Sequence, residues 1–232
     1  MQPKALILAA GRGERLRPLT DHTPKPLLPV RGRPMIEWHL LALAAAGVRD
    51  VVINTAWLEP MFPAALGDGA RFGLRIHYST EGRDHGGALE TAGGIAKALP
   101  FLAPNGDEAF WVVSGDIHAP GFGFDRADWA AFSESADLGL LWVVPQPAFR
   151  PAGDFALAAG GRLLRGGELA WTYANLALLR PAMVSGVAPD RPAPLGPCLF
   201  RAADAGRLAG RAWTGEWHNV GTPAQLAALV RP

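Results

Sequence analysis

Apolar residues in the first half of the chain form short continuous runs, and these alternate with segments of helical spacing. Continuous runs are typical of buried strands, and they occur at 4–8, 51–53 and 109–113, with strand-like alternation over 74–78. Helical spacing predicts helices at 34–46, 58–66 and 88–98. Strands that alternate with helices indicate an α/β fold, with a mixed, mostly parallel central sheet flanked by helices. In such sheets ligands bind beyond the carboxyl ends of the strands.

The second half has a less regular pattern. Apolar runs predict strands at 137–144 and 171–179, whereas the Pro-rich 145–151 and the Gly-rich 160–167 predict loops or hairpin turns. A final helix is expected over 223–230, with Thr222 as its cap. Neither an internal repeat nor a clear linker is visible, so we expect residues 1–232 to form one domain.

Composition narrows the class of protein. The chain has 232 residues, of which 49% are hydrophobic and 19% charged, which favours a packed core. A formal net charge of +1 argues against a general nucleic-acid binder. We find no signal peptide and no membrane span, and the one cysteine, Cys198, fits a reducing compartment. These features predict a cytoplasmic protein without a membrane partner, while the oligomeric state, including a weak homo-oligomer, stays open.

The segment after the first strand has the features of a phosphate-binding device. Small residues, among them Gly11 and Gly13, would let backbone N–H groups approach an anion. Two cations, Arg15 and Lys25, follow at fixed distances. Prolines at 18, 24, 26, 29 and 34 are expected to exclude a regular helix and to keep the segment extended. The glycines alone would favour an ordinary strand-to-helix turn, and it is the two cations and the prolines that favour a phosphate site.

Three further positions carry candidate chemistry, each with a structural alternative. Asp116 follows the strongest apolar strand, where a carboxylate could bind Mg²⁺ or simply cap a turn. The small-residue segment 89–94 could border a ligand or only begin a helix. Asn175 lies inside an apolar strand, so its amide must find partners in a ligand or in neighbouring backbone.

Taken together, these motifs resemble a known family. The run LAAGRGERLRPLTDHTPKPLLPVRGRPMI is similar to the signature of the sugar-phosphate nucleotidyltransferases, the NDP-sugar pyrophosphorylases. The resemblance extends to Asp116 and to the closing WHNVGTP near residue 217, so it covers essentially the whole chain. It implies a Rossmann-like nucleotidyltransferase fold, and there is no hexapeptide-repeat tail of the kind that forms a C-terminal β-helix domain in some members.

The resemblance also implies roles for individual residues. Arg15 and Lys25 correspond to the catalytic cations, and Asp116 with Asn219 to the metal ligands for Mg²⁺. Asn219 departs from many relatives, which have aspartate there. The nucleotide-binding positions correspond to Leu8, Ala9, Ala10, Gly11, Gly13, Glu14, Glu90, Thr91, Gly94 and Ser114. The sugar-binding positions correspond to Glu81, Asp154 and Asn175, with Arg150 as a further candidate cation.

The implied reaction is transfer of a nucleotidyl group from a nucleoside triphosphate to a sugar 1-phosphate, with release of pyrophosphate. RFGLRIHYSTEG at 71–82, LETAGG at 89–94 and GDF at 153–155 resemble the bacterial uridylyltransferases that act on N-acetylmuramic acid 1-phosphate in cell-wall recycling. UTP and that sugar are therefore the expected substrates. Two alternatives stay open, a guanylyl- or uridylyltransferase for mannose or glucose 1-phosphate, and a catalytically silent sugar-nucleotide sensor.

Overall fold

The computed structural model describes residues 2–147, 151–168 and 170–230. In chain order the strands are β1 Lys4–Leu8, β2 Pro29–Val30, β3 Arg33–Pro34, β4 Asp50–Thr55, β5 Arg75–Thr80, β6 Phe110–Ser114, β7 Ile117–His118, β8 Gly139–Pro145, β9 Ala156–Leu157, β10 Leu163–Leu164, β11 Trp171–Leu179, β12 Leu208–Ala212 and β13 His218–Asn219. The α-helices are α1 Leu19–His22, α2 Met35–Ala45, α3 Met61–Leu66, α4 Glu81–His85, α5 Glu90–Leu102, α6 Arg126–Glu134, α7 Gly196–Asp204 and α8 Pro223–Val230.

Seven strands form the central sheet, in the order β12-β8-β11-β6-β1-β4-β5. Strand β11 runs antiparallel to both of its neighbours, and the other adjacent pairs are parallel. The prediction of a mixed, mostly parallel sheet flanked by helices is therefore confirmed. Among the helices described, none combines the length and apolar character needed to cross a membrane.

Each face of the sheet is covered by its own hydrophobic core, because successive residues of a strand point to opposite faces. In β1, Ala5 and Ile7 pack into one core, which α2 completes, while Leu6 packs into the other, which α5 and α7 complete. All three are fully buried. Burial on both faces explains why the strand reads as a continuous apolar run.

The register of the parallel strands β4, β1 and β6 aligns their carboxyl ends at one edge of the central sheet. Leu8 of β1 pairs with Asn54 of β4 on one side and with Ser114 of β6 on the other. Strand β11 runs the opposite way, and Leu176 pairs with Val113, so the residues before Leu176 extend past the end of β6. This edge therefore gathers side chains from four strands.

The Pro-rich segment differs from the sequence-based expectation. It is not extended but contains three single helical turns, at Glu14–Leu16, Leu19–His22 and Lys25–Leu27. Proline is tolerated in the first turn of a helix, where its missing N–H group would have no partner anyway. The prolines thus limit these turns to one each rather than excluding them.

Candidate active site

The loop after β1 forms the floor of the site. Gly13 has a φ of +68°, a conformation that favours glycine. A Cβ atom there would lie 3.0 Å from Thr20 Cγ2 and 3.2 Å from Lys25 Cβ. The Thr20 hydroxyl also donates a hydrogen bond to Gly13 O at 2.9 Å. Glycine at this position therefore allows the loop to pack directly on the segment that carries Lys25.

Lys25 and Asp116 form an ion pair at the centre of the site. Lys25 Nζ donates to Asp116 Oδ2 at 2.6 Å. The lysine is only 8% exposed and lies in a helical turn between Pro24 and Pro26, which restricts its backbone. Asp116 follows β6, and its second oxygen, Oδ1, has no partner in the described part of the chain. The pair presents one cation and one carboxylate oxygen to the same space.

Arg15 is a second cation at this edge, and it has a different environment. Its side chain is exposed and makes no ion pair or hydrogen bond to any residue that the structure describes. The guanidinium packs on the closing motif, since a Cβ atom on Gly221 would lie 3.0 Å from Arg15 Nη2. An exposed guanidinium without a carboxylate partner is well suited to bind an anion such as phosphate.

The closing motif places Asn219 beside Asp116. Strand β13 pairs with β7, Asn219 opposite Ile117, and Val220 N donates to Asp116 O at 3.0 Å. Asn219 Oδ1 is buried and lacks a hydrogen-bond partner within the described residues. A buried acceptor left unpaired costs roughly 1–3 kcal/mol, which a bound cation would offset.

The oxygens of Asp116 and Asn219 fit a hard divalent cation. Mg²⁺ is usually held by one or two protein oxygens and completes its shell with substrate phosphates and water. Among the residues described there is no group of three or more His, Cys, Asp or Glu that could hold a metal. Any Mg²⁺ at this position would therefore depend on the substrate for further ligands.

Two adjoining cavities open at this edge of the sheet. The first pocket, of about 590 Å³, is lined by residues 8–16, Lys25, Pro26, Asn54, Ala88, Glu90, Thr91, Ser114, Asp116 and Gly221. The second pocket, of about 370 Å³, lies on the β11 side and is lined mainly by Asp154, Phe155, Thr172, Tyr173, Asn175, the start of α7, Trp217 and Asn219. Both share Leu8, Arg15, Thr91 and Ser114. Two ligands bound side by side would thus meet near Arg15 and Ser114.

The structure brings most of the sequence-predicted residues to these pockets. The predicted catalytic residues and the predicted nucleotide-binding residues line the first pocket, with the exception of Gly94. Asp154, Asn175 and the predicted metal residue Asn219 line the second. Asn175 has a φ of +59° and lies where the register between β11 and β8 shifts, which turns its side chain away from the regular ladder. Arg150 lies outside the described residues.

Glu81 and Gly94 differ from the other predicted site residues, because neither lines either of these two pockets. Glu81 has no exposed surface with which to contact a sugar. Its carboxylate accepts hydrogen bonds from Asn54 Nδ2 and from Leu89 N, each at 2.7 Å. Burial raises the pKa of Glu81, and these two hydrogen bonds act in the opposite direction. Gly94 is buried in α5, where a side chain would collide with the Asn54–Glu81 pair.

Sequence reasoning also missed residues that the structure brings to the site. Asn54 is the last residue but one of the strand segment VVINT, and the argument applied to Asn175, that an amide in an apolar strand needs partners, could have identified it. Thr172 is 4% exposed, lines the second pocket, and its Oγ1 has no partner in the described chain. No sequence signal distinguishes this threonine from an ordinary strand residue.

Two buried histidines lie behind Asp116 and Asn219, the predicted metal ligands. His39 is 3% exposed, and its Nε2 contacts Ile117 O at 2.7 Å, which requires the tautomer with a proton on Nε2. Burial lowers the pKa of His39 to about 4. Burial, with the positive charge of Arg31 as a smaller cause, also lowers the pKa of His118 to about 4. Near neutral pH both rings are therefore uncharged and add no positive charge next to Asp116.

Comparison with known proteins agrees with this arrangement. A family model described as nucleotidyl transferase matches residues 4–148. The N-acetylmuramate alpha-1-phosphate uridylyltransferase of Neisseria meningitidis serogroup B is 44% identical over 96% of this chain and 95% of its own length. The protein of the same name from Caulobacter vibrioides is 36% identical over 98% and 96% of the two chains.

A solved structure shows the same fold. The inositol-1-phosphate CTP transferase from T. maritima superposes with a TM-score of 0.72 at 19% identity, covering 97% of this chain and 91% of that chain. At this level of identity the likeness concerns the fold alone. The family assignment comes from the family model and from the relatives of nearly equal length. The chain belongs to the nucleotidyl transferase family.

Proposed function

We propose that this protein transfers a uridylyl group from UTP to N-acetylmuramic acid 1-phosphate, forming the UDP-sugar and pyrophosphate. The observation that carries the proposal is the pair of adjoining pockets that meet at Arg15 and Ser114, beside Lys25 and Asp116. Two relatives of nearly equal length carry this activity in their names, which supports the choice of base and sugar. The reaction would belong to cell-wall sugar recycling in the cytoplasm.

In the proposed arrangement each pocket holds one substrate. The first pocket takes the nucleoside triphosphate, with its phosphates over residues 9–15 and its base beside Glu90 and Thr91. The second pocket takes the sugar 1-phosphate, with the sugar near Asp154 and Asn175. A phosphate oxygen of the sugar then attacks the α-phosphorus, and pyrophosphate leaves. Placing both reactants in adjoining pockets makes the attack effectively unimolecular.

The reaction needs charge neutralisation rather than a covalent nucleophile. Arg15 would hold the leaving pyrophosphate through its planar fork of N–H donors. Lys25 would contact the phosphate oxygens on which negative charge develops. Asp116 and Asn219 would hold Mg²⁺, which when bound neutralises negative charge on the phosphate oxygens. The bound ion would also give Asn219 Oδ1 the partner that it lacks among the described residues.

A substrate panel tests this proposal. Pyrophosphate release is measured with UTP or GTP against the 1-phosphates of N-acetylmuramic acid, N-acetylglucosamine, glucose and mannose. We expect the highest kcat/KM for UTP with N-acetylmuramic acid 1-phosphate. If another pair is better by tenfold, or about 1.4 kcal/mol in transition-state binding, the substrate assignment is wrong and the alternative transferase activity replaces it. Absence of turnover with every pair would favour a silent sugar-nucleotide sensor.

A further inference from the structure

A buried chain of three hydrogen bonds runs behind the first pocket. Ala9 N donates to Asn54 Oδ1, Asn54 Nδ2 donates to Glu81 Oε1, and Leu89 N donates to Glu81 Oε2. Each donor–acceptor distance is 2.7 Å. Asn54 is 2% exposed and Glu81 is fully buried. The chain of bonds connects the loop after β1 to the segment 88–91, which are two walls of the same pocket.

The direction of these bonds is fixed by their ends. Both end groups, Ala9 N and Leu89 N, are backbone donors. Asn54 must therefore accept from Ala9 N, and Glu81 must accept from Leu89 N. Asn54 accepts with its oxygen and donates with its amide nitrogen, which leaves Glu81 to accept at both oxygens. An ionised carboxylate can do this, whereas a glutamine would set an NH₂ group against another donor. The identity of both residues is therefore constrained.

The surrounding backbone is shaped to admit the pair. A Cβ atom on Gly94 would lie 2.6 Å from Asn54 Nδ2 and 2.7 Å from Glu81 Oε1. A Cβ atom on Gly82 would lie 2.7 Å from Ala56 O. Helices α4 and α5 thus approach β4 so closely that only glycine fits, which encloses the Asn54–Glu81 pair.

The segment held by Glu81 is conformationally demanding. Leu89 O accepts a hydrogen bond from Ala193 N at 3.0 Å, so both polar groups of this residue are fixed. The next residue, Glu90, lines the first pocket with a φ of +57°, a left-handed conformation that is strained for a residue other than glycine. Such a conformation persists only when the neighbouring structure enforces it.

We propose that Asn54 and Glu81 are positioning residues that hold the two walls of the nucleotide pocket in register, the glycine loop through Ala9 and the segment 88–91 through Leu89. The inference rests on the proposed binding of the nucleoside triphosphate in the first pocket. It follows that disturbing the pair should weaken nucleotide binding more than sugar 1-phosphate binding. The nucleotide pocket is lined by both walls, whereas only Arg15 and Thr91 of these walls also line the sugar pocket.

A charge swap between the two positions tests the proposal. Glu81→Gln places two donors face to face, and Asn54→Asp places two carboxylates face to face. In the double variant the carboxylate stands at position 54 and the amide at position 81, so all three hydrogen bonds can form again with one negative charge. Glu108→Gln is the matched control, because Glu108 also accepts from an asparagine amide and a backbone N–H, but at a partly exposed position outside both pockets.

The readouts are the Kd of the nucleoside triphosphate that the wild type binds most tightly, measured without sugar, and the KM of the sugar 1-phosphate. We expect each single variant to weaken nucleotide binding by about tenfold or more and the double variant to return within about threefold of wild type. The KM of the sugar 1-phosphate should stay close to the wild-type value in all of these variants. The control variant should also keep the wild-type Kd for the nucleotide.

Several results would overturn the inference. These are unchanged nucleotide affinity in both single variants, a double variant as weak as the singles, or an equal rise in the KM of the sugar 1-phosphate. If a single variant does not fold, the double variant decides, since it must fold and bind nucleotide for the inference to hold. A wild-type protein that binds no nucleoside triphosphate would instead refute the proposed function.

Discussion

At the scale of single residues, the centre of the site is a lysine that the protein itself holds in contact with a carboxylate. Lys25 is buried, flanked by two prolines and paired with Asp116 at 2.6 Å. A preorganised cation needs little rearrangement when negative charge develops on a phosphate. Such a cation therefore stabilises the transition state more than the ground state. The arrangement therefore favours an effect of Lys25 on turnover over an effect on ground-state binding.

Replacement of Lys25 by alanine is expected to lower kcat by about a hundredfold or more, with a much smaller change in nucleotide Kd. Lys97→Ala is a matched control, because Lys97 Nζ also contacts an aspartate, Asp84, at 2.6 Å but lines neither pocket. Steady-state kinetics and nucleotide titration of both variants make the comparison. A rise in KM alone would make Lys25 a ground-state binding residue.

A second prediction at this scale concerns Asp116 and Asn219, the predicted metal ligands. Asp116→Ala should reduce turnover by orders of magnitude, because it removes the charged oxygen ligand. Asn219→Asp should retain activity and lower the Mg²⁺ concentration at half-maximal rate, since it adds a negative charge beside Asp116. Rates measured over a Mg²⁺ titration check both variants. Full wild-type activity in excess EDTA would contradict metal dependence, and complete loss in Asn219→Asp would give Asn219 another role.

The sequence indicated the charged residues that line the first pocket more clearly than the polar residues enclosed behind it. Arg15, Lys25 and Asp116 stand out because cations and carboxylates near small residues suggest phosphate chemistry directly. Glu81 is also recognisable in its motif, but the sequence does not reveal that the carboxylate faces inward. Its partners are the backbone N–H of Leu89 and the side-chain amide of Asn54, and such contacts depend on how three elements pack.

At the scale of elements, β11 provides the second pocket. It runs antiparallel to β6, so the residues before Leu176 project beyond the carboxyl edge, and the register shift after Tyr173 redirects Asn175. Within this stretch Thr172 is buried and its hydroxyl lacks a partner among the described residues. Such a hydroxyl can hydrogen-bond a substrate group without breaking a hydrogen bond to any of these residues.

Replacing Thr172 with valine should therefore change substrate binding without lowering the stability of the fold. The folded protein loses no hydrogen bond, so the free energy of unfolding should be unchanged or about 1 kcal/mol higher. The KM of the sugar 1-phosphate should rise by roughly tenfold, because a binding hydroxyl is replaced by a methyl group. Urea unfolding and steady-state kinetics give the two values. A KM equal to that of wild type would exclude a substrate contact.

Some elements could not be predicted from the pattern, for physical reasons. Helix α7 begins with Gly-Pro, and two of its four buried residues are alanines, so its apolar face gives a weak signal although it follows a helical period. Strand β12 is similarly obscured, because Leu208 is fully buried whereas Arg211 and Ala212 are exposed. Gly210 within β12 is required since a Cβ would lie 2.5 Å from Leu163 Cδ2. By contrast, β1, β6 and α2 were predicted because their burial is uniform or clearly periodic.

At the scale of the whole molecule, one sheet serves two cores and one active edge. The strands that supply the core on both faces are the same strands whose carboxyl ends carry Leu8, Asn54 and Ser114. Folding and site geometry are therefore coupled, and a group buried in the core behind the site influences both. His39 in α2 is such a group, since its ring contacts the backbone of Ile117, next to Asp116.

The buried His39 gives the protein a predictable dependence of stability on pH. Because its pKa is lowered from 6.5 to about 4, His39 is neutral in the folded and unfolded chain above pH 6.5. Between pH 6.5 and 4 the unfolded chain binds a proton that the folded chain does not, so the free energy of unfolding falls as pH falls. At pH 5 the loss from this residue is about 2 kcal/mol.

Urea unfolding at pH 7.5 and 5.0, in wild type and His39→Gln, measures this loss. Glutamine does not titrate and can still donate an N–H to Ile117 O, so the variant should lose about 2 kcal/mol less between the two pH values. His118, whose pKa is also lowered to about 4, acts in the same direction in both proteins, and the difference therefore isolates His39. Equal losses in the two proteins would mean that His39 becomes protonated in the folded state, and the buried ring would then place a positive charge directly behind Asp116.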